Sequence, residues 1–156
     1  MSRSGQAHLL VDAHNVLHHD SELGRLMSDP ERARTELERL LADRPRVVLF
    51  YDGGPGGITQ SLRRQGLTID YSGTGEADDR IVGWLRAHAE LRAAVVSDDS
   101  GLRGRARSLG ATLIAARGFL VDFRRERDPR TERGPLSAAE VNDWMRIFGL
   151  DDRGQR

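Results

Sequence analysis

The residues best suited to chemistry are acids. Glu76, Asp78 and Asp79 fall within four positions, where the turn Gly73-Thr74-Gly75 gives way to Ile81, Val82, Leu85 and Ala89 at helical spacing. At about 100° per residue, Asp78 lies in line with Val82, Leu85 and Ala89, at the mouth of a buried stripe where a lone carboxylate is costly. First-turn acids also complement the helix dipole and cap open amides, and taken alone these three are read equally well that way. Other acids change the balance. His8-Leu9-Leu10-Val11 ends on Asp12, Arg46 to Tyr51 ends on Asp52, and Ala93-Ala94-Val95-Val96 ends on Ser97-Asp98-Asp99. Carboxylates that converge without lysine or histidine partners repel one another unless a cation neutralises them. Magnesium and manganese are hard ions that take oxygen ligands. Two such ions about 3.5–4 Å apart can activate water and stabilise the leaving oxygen in phosphodiester cleavage. The predicted chemistry is hydrolysis of a phosphate ester.

The apolar runs that end on these acids read as buried parallel strands. Between the first two, Ser28-Asp29-Pro30-Glu31 opens a helix with proline at its first position, and Ala33, Leu37, Leu40 and Leu41 mark its inner face. Gly53 to Gly57 is a flexible loop, followed by a predicted short helix over Ile58–Gln65 that Gly66 stops. Leu67-Thr68-Ile69-Asp70-Tyr71 is a weaker strand leading to the acidic turn, and the helix after that turn runs through Glu90. Leu102, Ala106 and Leu109 face inward from the next helix, which Gly110 ends, and residues 111–115 form a fifth strand. Residues 124–136 read as a charged loop. Residues 137–148 read as a helix opened by the capping box Ser137-Ala138-Ala139-Glu140, with Trp144 on its apolar side. Strands alternating with helices imply a parallel sheet covered on both faces. The working site of such a sheet lies beyond the carboxyl ends of its strands, where strand order reverses. Asp12, Asp52 and Asp98 all fall on that edge, and Asp78 and Asp79 begin a helix beside it.

Composition narrows the chemistry further. At 156 residues the chain suits one domain, 1–156, with a genuine core, and its formal net charge of zero speaks against coating nucleic acid by bulk charge. All 24 basic residues are arginine, which excludes lysine-dependent chemistry, and the absence of cysteine excludes disulfides and thiolate sites. No apolar run reaches signal-peptide or membrane-spanning length, so the expectation is a cytoplasmic protein without membrane association.

Val11-Asp12-Ala13-His14-Asn15, Glu76-Ala77-Asp78-Asp79-Arg80-Ile81 and Val96-Ser97-Asp98 together resemble the NYN-domain ribonucleases of the PIN-like superfamily, in their bacterial YacP-like branch. Leu136 to Val141 with Trp144 is similar to the C-terminal helix of bacterial NYN proteins. The resemblance covers nearly the whole chain. It implies a PIN-like three-layer α/β sandwich with parallel strand order 3-2-1-4-5, and endoribonuclease activity dependent on magnesium or manganese. Asp12, Asp78 and Asp98 map onto the family's metal ligands, Asn15 onto the asparagine beside the first acid, and Asp79 onto a second acid of some members. Some NYN nucleases carry a further aspartate one turn after the Asp98 equivalent. Leu102 stands there, with Asp99 as the substitute ligand. RNA is the implied partner, on the ribosome or on mRNA, for a monomer or homodimer.

Several of these residues have two readings. Asn15 either orients a water or holds the Asp12 turn, and Asp99 is also a candidate helix cap. Ser97 either contacts phosphate or bonds locally, and Asp52 suits a turn before Gly53-Gly54 as well as a site. Arg103, Arg105, Arg107, Arg117, Arg124, Arg125 and Arg127 either track an RNA backbone or form a solvated face. His14 and His18 are four apart, but a zinc pair needs a third ligand and a general base that the sequence does not offer. His14 is read instead as a polar rim touching substrate, and Trp84 and Trp144 as core. Two rival functions remain: an RNA-binding or scaffold protein with a degraded metal site, which Leu102 favours, and a small-molecule phosphohydrolase. The second lacks both lysine and an Asp-x-Asp nucleophile motif.

Overall fold

The computed structural model describes residues 7–127, so the predicted helix over 137–148, Trp144 and most of the charged stretch lie outside the described residues. One six-stranded sheet forms the middle layer, from β1 (His8–Asp12), β2 (Val47–Tyr51), β3 (Thr59–Arg64), β4 (Leu67–Ser72), β5 (Ala93–Val96) and β6 (Thr112–Ile114). Their spatial order is β3-β4-β2-β1-β5-β6. Every pairing is parallel except β3 with β4. The five parallel strands therefore take the predicted order, and an antiparallel edge strand is added to them.

Alternation along the strands assigns side chains to two cores. Leu9, Val11, Leu49, Tyr51 and Ile69 face α1 (Ala13–His19), α3 (Pro30–Leu41) and α6 (Val121–Arg127). Leu10, Val48, Phe50 and Val95 face α4 (Ala77–Ala87) and α5 (Ser100–Ser108) through Ile81, Val82, Leu85, Leu102 and Ala106. Complete burial of each such aliphatic side chain contributes about 1.5–3 kcal/mol. Leu102 is fully enclosed in the second core, so that position serves packing.

Four expectations are corrected. Residues 59–64 form β3 and not a helix. Gln65 and Gly66 both have positive φ, 53° and 72°, the conformation of a two-residue hairpin turn with the twist that paired strands need. The residue read as a helix stop is the second turn residue, and a segment with Leu62 as its only half-buried apolar side chain had no helical stripe to bury. A helix, α1, begins directly after Asp12 in place of the turn read there around Asn15, and α2 (Ser21–Arg25) follows it. The charged stretch is helical through Arg127, because Phe119 and Phe123 pack with ring centroids 5.2 Å apart and carry α6 against α3. In addition, α4 stops short of Glu90, with the His88 ring stacked on Trp84 and its Nδ1 2.8 Å from the Trp84 carbonyl.

A buried ion pair fastens α6. Asp20 caps α2 by accepting from the Leu23 N–H at 3.0 Å, and it also accepts from both terminal nitrogens of Arg124. Burial alone would raise the Asp20 carboxyl. Hydrogen bonds from Arg124 and the Leu23 amide, with the Arg124 charge, outweigh it and hold Asp20 below the usual carboxylate range.

Candidate metal centre at the carboxyl edge of the sheet

From β1 the chain builds outward through β2 to β4, then returns to β5 on the other side of β1. The order reverses between β1 and β5, and the acids flank that crevice. Asp12 ends β1 and is buried, accepting from Ser97 Oγ at 3.0 Å. Burial pushes its carboxyl up against the Ser97 hydrogen bond and the nearby Asn15 amide, and the charges of Asp52 and Asp99 push the same way.

Asp78 opens α4 across the crevice. Its carboxyl is pushed up to about 6, first by burial and then by the charges of Asp12, Asp99, Asp52 and Glu76. The acids that interact across the crevice are thus Asp12, Asp52, Asp78 and Asp99, drawn from three strand ends and one helix start. Their fixed parts explain how they are held. Asp52 accepts from the Ala77 N–H at 2.8 Å, so the first amide of α4 is capped by a distant strand end and not by the acids of its own first turn. Asp99 caps α5 by accepting from the Leu102 N–H at 2.9 Å. Ser97, completely buried, donates to Asp12 and accepts from the Asp99 N–H at 3.0 Å, tying the two strand ends together. Gly73, with φ of 68°, lets the 72–76 turn close on β3, since a Cβ there would sit 2.5 Å from Thr59 Oγ1.

The other sequence-predicted residues go elsewhere. Asp98 accepts from the Ala116 N–H at 3.0 Å and the Arg117 N–H at 3.1 Å, which orders the loop after β6. Asn15 Oδ1 accepts from the Asp98 N–H at 2.7 Å, so the asparagine latches α1 to the end of β5. Asp79 points to Arg105 at 3.1 Å in an exposed pair of the kind that contributes about 0–1 kcal/mol. Arg103 donates to the Ser97 carbonyl at 2.9 Å, and Arg107 is exposed on α5. His14 stacks on His18 with ring centroids 6.3 Å apart, and Trp84 is half-buried beside the second core.

Among the described residues, no three His, Asp or Glu side chains form a ready ligand group. The donor set nevertheless fits a hard cation. Magnesium binds through one or two carboxylates and keeps waters and substrate oxygens as its remaining ligands. Asp12 and Asp78 would supply such a pair, and their mutual repulsion is what a cation would relieve.

Ser97→Ala tests how the crevice is wired. Removing the hydroxyl deprives Asp12 of a donor and the Asp99 amide of its acceptor, so thermal melting should show a loss of about 1–2 kcal/mol.

Fold and edge define the class, an α/β domain with a mostly parallel sheet and its acids at the switch point. The profile of the YacP-like NYN domain matches residues 9–143, and the chain belongs to that family. NYN domains are generally nucleases, so membership makes the chain part of a nuclease-type, RNA-related family. The crystal structure of a point variant of Rae1 (YacP) from Bacillus subtilis is similar, with a TM-score of 0.60, 23% identity, and coverage of 85% of this chain and 88% of that one. At that identity the likeness concerns the fold. No curated protein matches the sequence. No helix among the described residues is long and apolar enough to cross a membrane.

Proposed function

We propose that this chain is an endoribonuclease that hydrolyses RNA phosphodiester bonds with magnesium or manganese held by Asp12 and Asp78. Asp99 and Asp52 add charge at the same crevice. The observation that carries this reading is the gathering of Asp12, Asp52, Asp78 and Asp99 at the switch point, with each acid raising or being raised by the others. A bound cation would supply Lewis acidity and an activated water. The chain's own residues prepare the place. Ser97 orients the Asp12 carboxylate, Asp52 sets the start of α4 and so the position of Asp78, and Asn15 fixes the end of β5 through Asp98. Asp79 and Asp98 act here as positioning groups, one on α5 and one on the loop after β6.

The test is cleavage of single-stranded RNA by the purified protein with manganese, with magnesium and with chelator. Internal cleavage that chelator abolishes supports the reading. RNA binding without cleavage under any ion would instead support a binding protein on the same fold.

Thermal melting gives an independent check. Asp78 has a folded-state pKa of about 6 against 3.8 ordinarily, so the metal-free native state binds the extra proton. Stability from this group is therefore fully present at low pH and is lost as pH rises from about 4 through about 6. Asp78→Asn removes that loss. In chelator at pH 7 the variant should be more stable by about 1 kcal/mol, a figure reduced for the partial exposure of Asp78, and the difference should vanish near pH 4. Manganese should raise the melting temperature of the parent protein more than that of the variant.

A further inference from the structure

Beside the acids lies a cleft of 580 Å³ that the metal chemistry does not use, walled by Arg34, Thr35 and Glu38 of α3 and by Tyr51, Arg64 and Tyr71 of the sheet. His14 and Asp52 line it too, and Asp52 is also one of the acids whose charge acts on Asp12 and Asp78. We infer that this cleft seats one unpaired nucleotide of the RNA next to the scissile phosphate, with Arg34 and Arg64 as the donors to its phosphate. The inference rests on the ribonuclease reading for what is bound, and on the cleft's own chemistry for where.

Arg64 is fixed in advance. Its Nε donates to Glu38 Oε1 at 2.7 Å, and its Nη2 donates to Glu38 Oε2 at 3.0 Å and to the Tyr71 hydroxyl at 2.9 Å. Glu38 is buried and accepts a third hydrogen bond from the Tyr51 hydroxyl at 2.8 Å. The Tyr51 and Tyr71 rings stack at 5.6 Å, which locks the back wall. The Arg64 side chain is 41% exposed, and Nη1 has no hydrogen-bond partner among the described residues. A guanidinium held on one edge and open on the other suits a phosphate oxygen, because little side-chain entropy remains to be lost on binding.

Arg34, half-exposed, has no ion-pair partner among the described residues. His14, which lines the cleft and is stacked on His18, offers an aromatic ring to a base.

Charge and size set the substrate class. Arg34 and Arg64 are offset by Glu31, Glu38 and Asp52, so the cleft holds phosphate by directed donors and not by bulk positive potential. A volume of 580 Å³ is in the range of a small-molecule site and admits a splayed nucleotide but not a duplex.

The experiment measures binding of a short fluorescent single-stranded RNA, and of a duplex of equal length, by the full chain in chelator, so that no cleavage intervenes. Cleavage kinetics with manganese are measured alongside. Arg34→Ala should weaken single-strand binding about five- to tenfold and lower the salt dependence of log K by about 0.7, the contribution of one phosphate. Its KM should rise with kcat nearly unchanged. Arg64→Lys keeps the charge and the fold-holding contact to Glu38, and it should lose part of the same affinity because the fork is gone. Single-strand affinity and salt slope unchanged in both variants, or equal affinity for duplex, would overturn the inference while leaving the nuclease reading intact. The predicted binding losses in a parent protein that never cleaves would support the cleft and sink the nuclease reading instead.

Discussion

Asp12→Asn and Asp78→Asn should each lower manganese-dependent RNA cleavage by on the order of a thousandfold, or about 4 kcal/mol of transition-state stabilisation. Both substitutions are nearly isosteric, and each removes a charge from a crevice where Asp12, Asp52, Asp78 and Asp99 repel one another. Melting temperatures in chelator should therefore hold or rise while activity falls. Loss of activity together with loss of folding would not count in favour. Two comparison variants sharpen the outcome. Asp79→Asn breaks an exposed pair with Arg105 and should change the rate by no more than about threefold. Asp98→Asn keeps one acceptor but sets an amide against the Ala116 or Arg117 N–H, so it should lower stability. A manganese-induced melting shift that survives in Asp98→Asn but disappears in Asp12→Asn would separate a positioning acid from a ligand. The reverse pattern would exchange their roles.

The largest loss of stability is expected at a residue far from the crevice. Asp20→Ala should destabilise the protein by about 3 kcal/mol, because it strips the cap from α2 and leaves the guanidinium of Arg124 without its buried partner. For a chain of this length that is a fall of roughly 6–12 °C in melting temperature. Arg124 retains Glu22 at 2.7 Å, which moderates the loss. The acid limb of the stability profile should also flatten. Asp20 has a depressed carboxyl, so its contribution is present above about pH 4 and disappears as pH falls through the lower folded-state value. Denaturant melts of both proteins between pH 3 and pH 7 would show it, and an unchanged acid limb would contradict the assignment.

How much could be read beforehand differs by element. Strands β1, β2 and β5 were legible because continuous apolar runs that end on polar, acidic turns have few other readings, β4 was legible as a weaker strand, and Pro30 after Asp29 marks the start of α3. The hairpin strand β3 was not. All its residues but Leu62 are polar and they lie on an edge, so the local pattern carries no strand signal, and the positive φ of Gln65 is invisible in the letters. Membership of the acid edge was legible as well, since strand ends in a parallel sheet share one side. Direction was not. Asp98 and Asp99 are neighbours at one strand end, yet one carboxylate turns to the amides of Ala116 and Arg117 while the other caps α5 and faces Asp12 and Asp78.

The cleft network was missed although a signal existed. Tyr51 lies in a strand of buried residues, and a buried phenol needs a hydroxyl partner. Glu38 supplies it from α3, 13 residues earlier. Arg64 joins from a strand that the sequence presented as helix, so nothing local pointed to the pair.

What the chain determined by itself was periodicity and residue type: two apolar faces, their alternation with helices, and acids at the strand ends, all set by local sterics and burial. The tertiary structure decided which acids share a field, which amides cap which helix, and that Arg64 is clamped at the wall of the neighbouring cleft. Those outcomes depend on contacts between residues as far apart as Asp12 and Ser97, whose distance is fixed only when the strands pair.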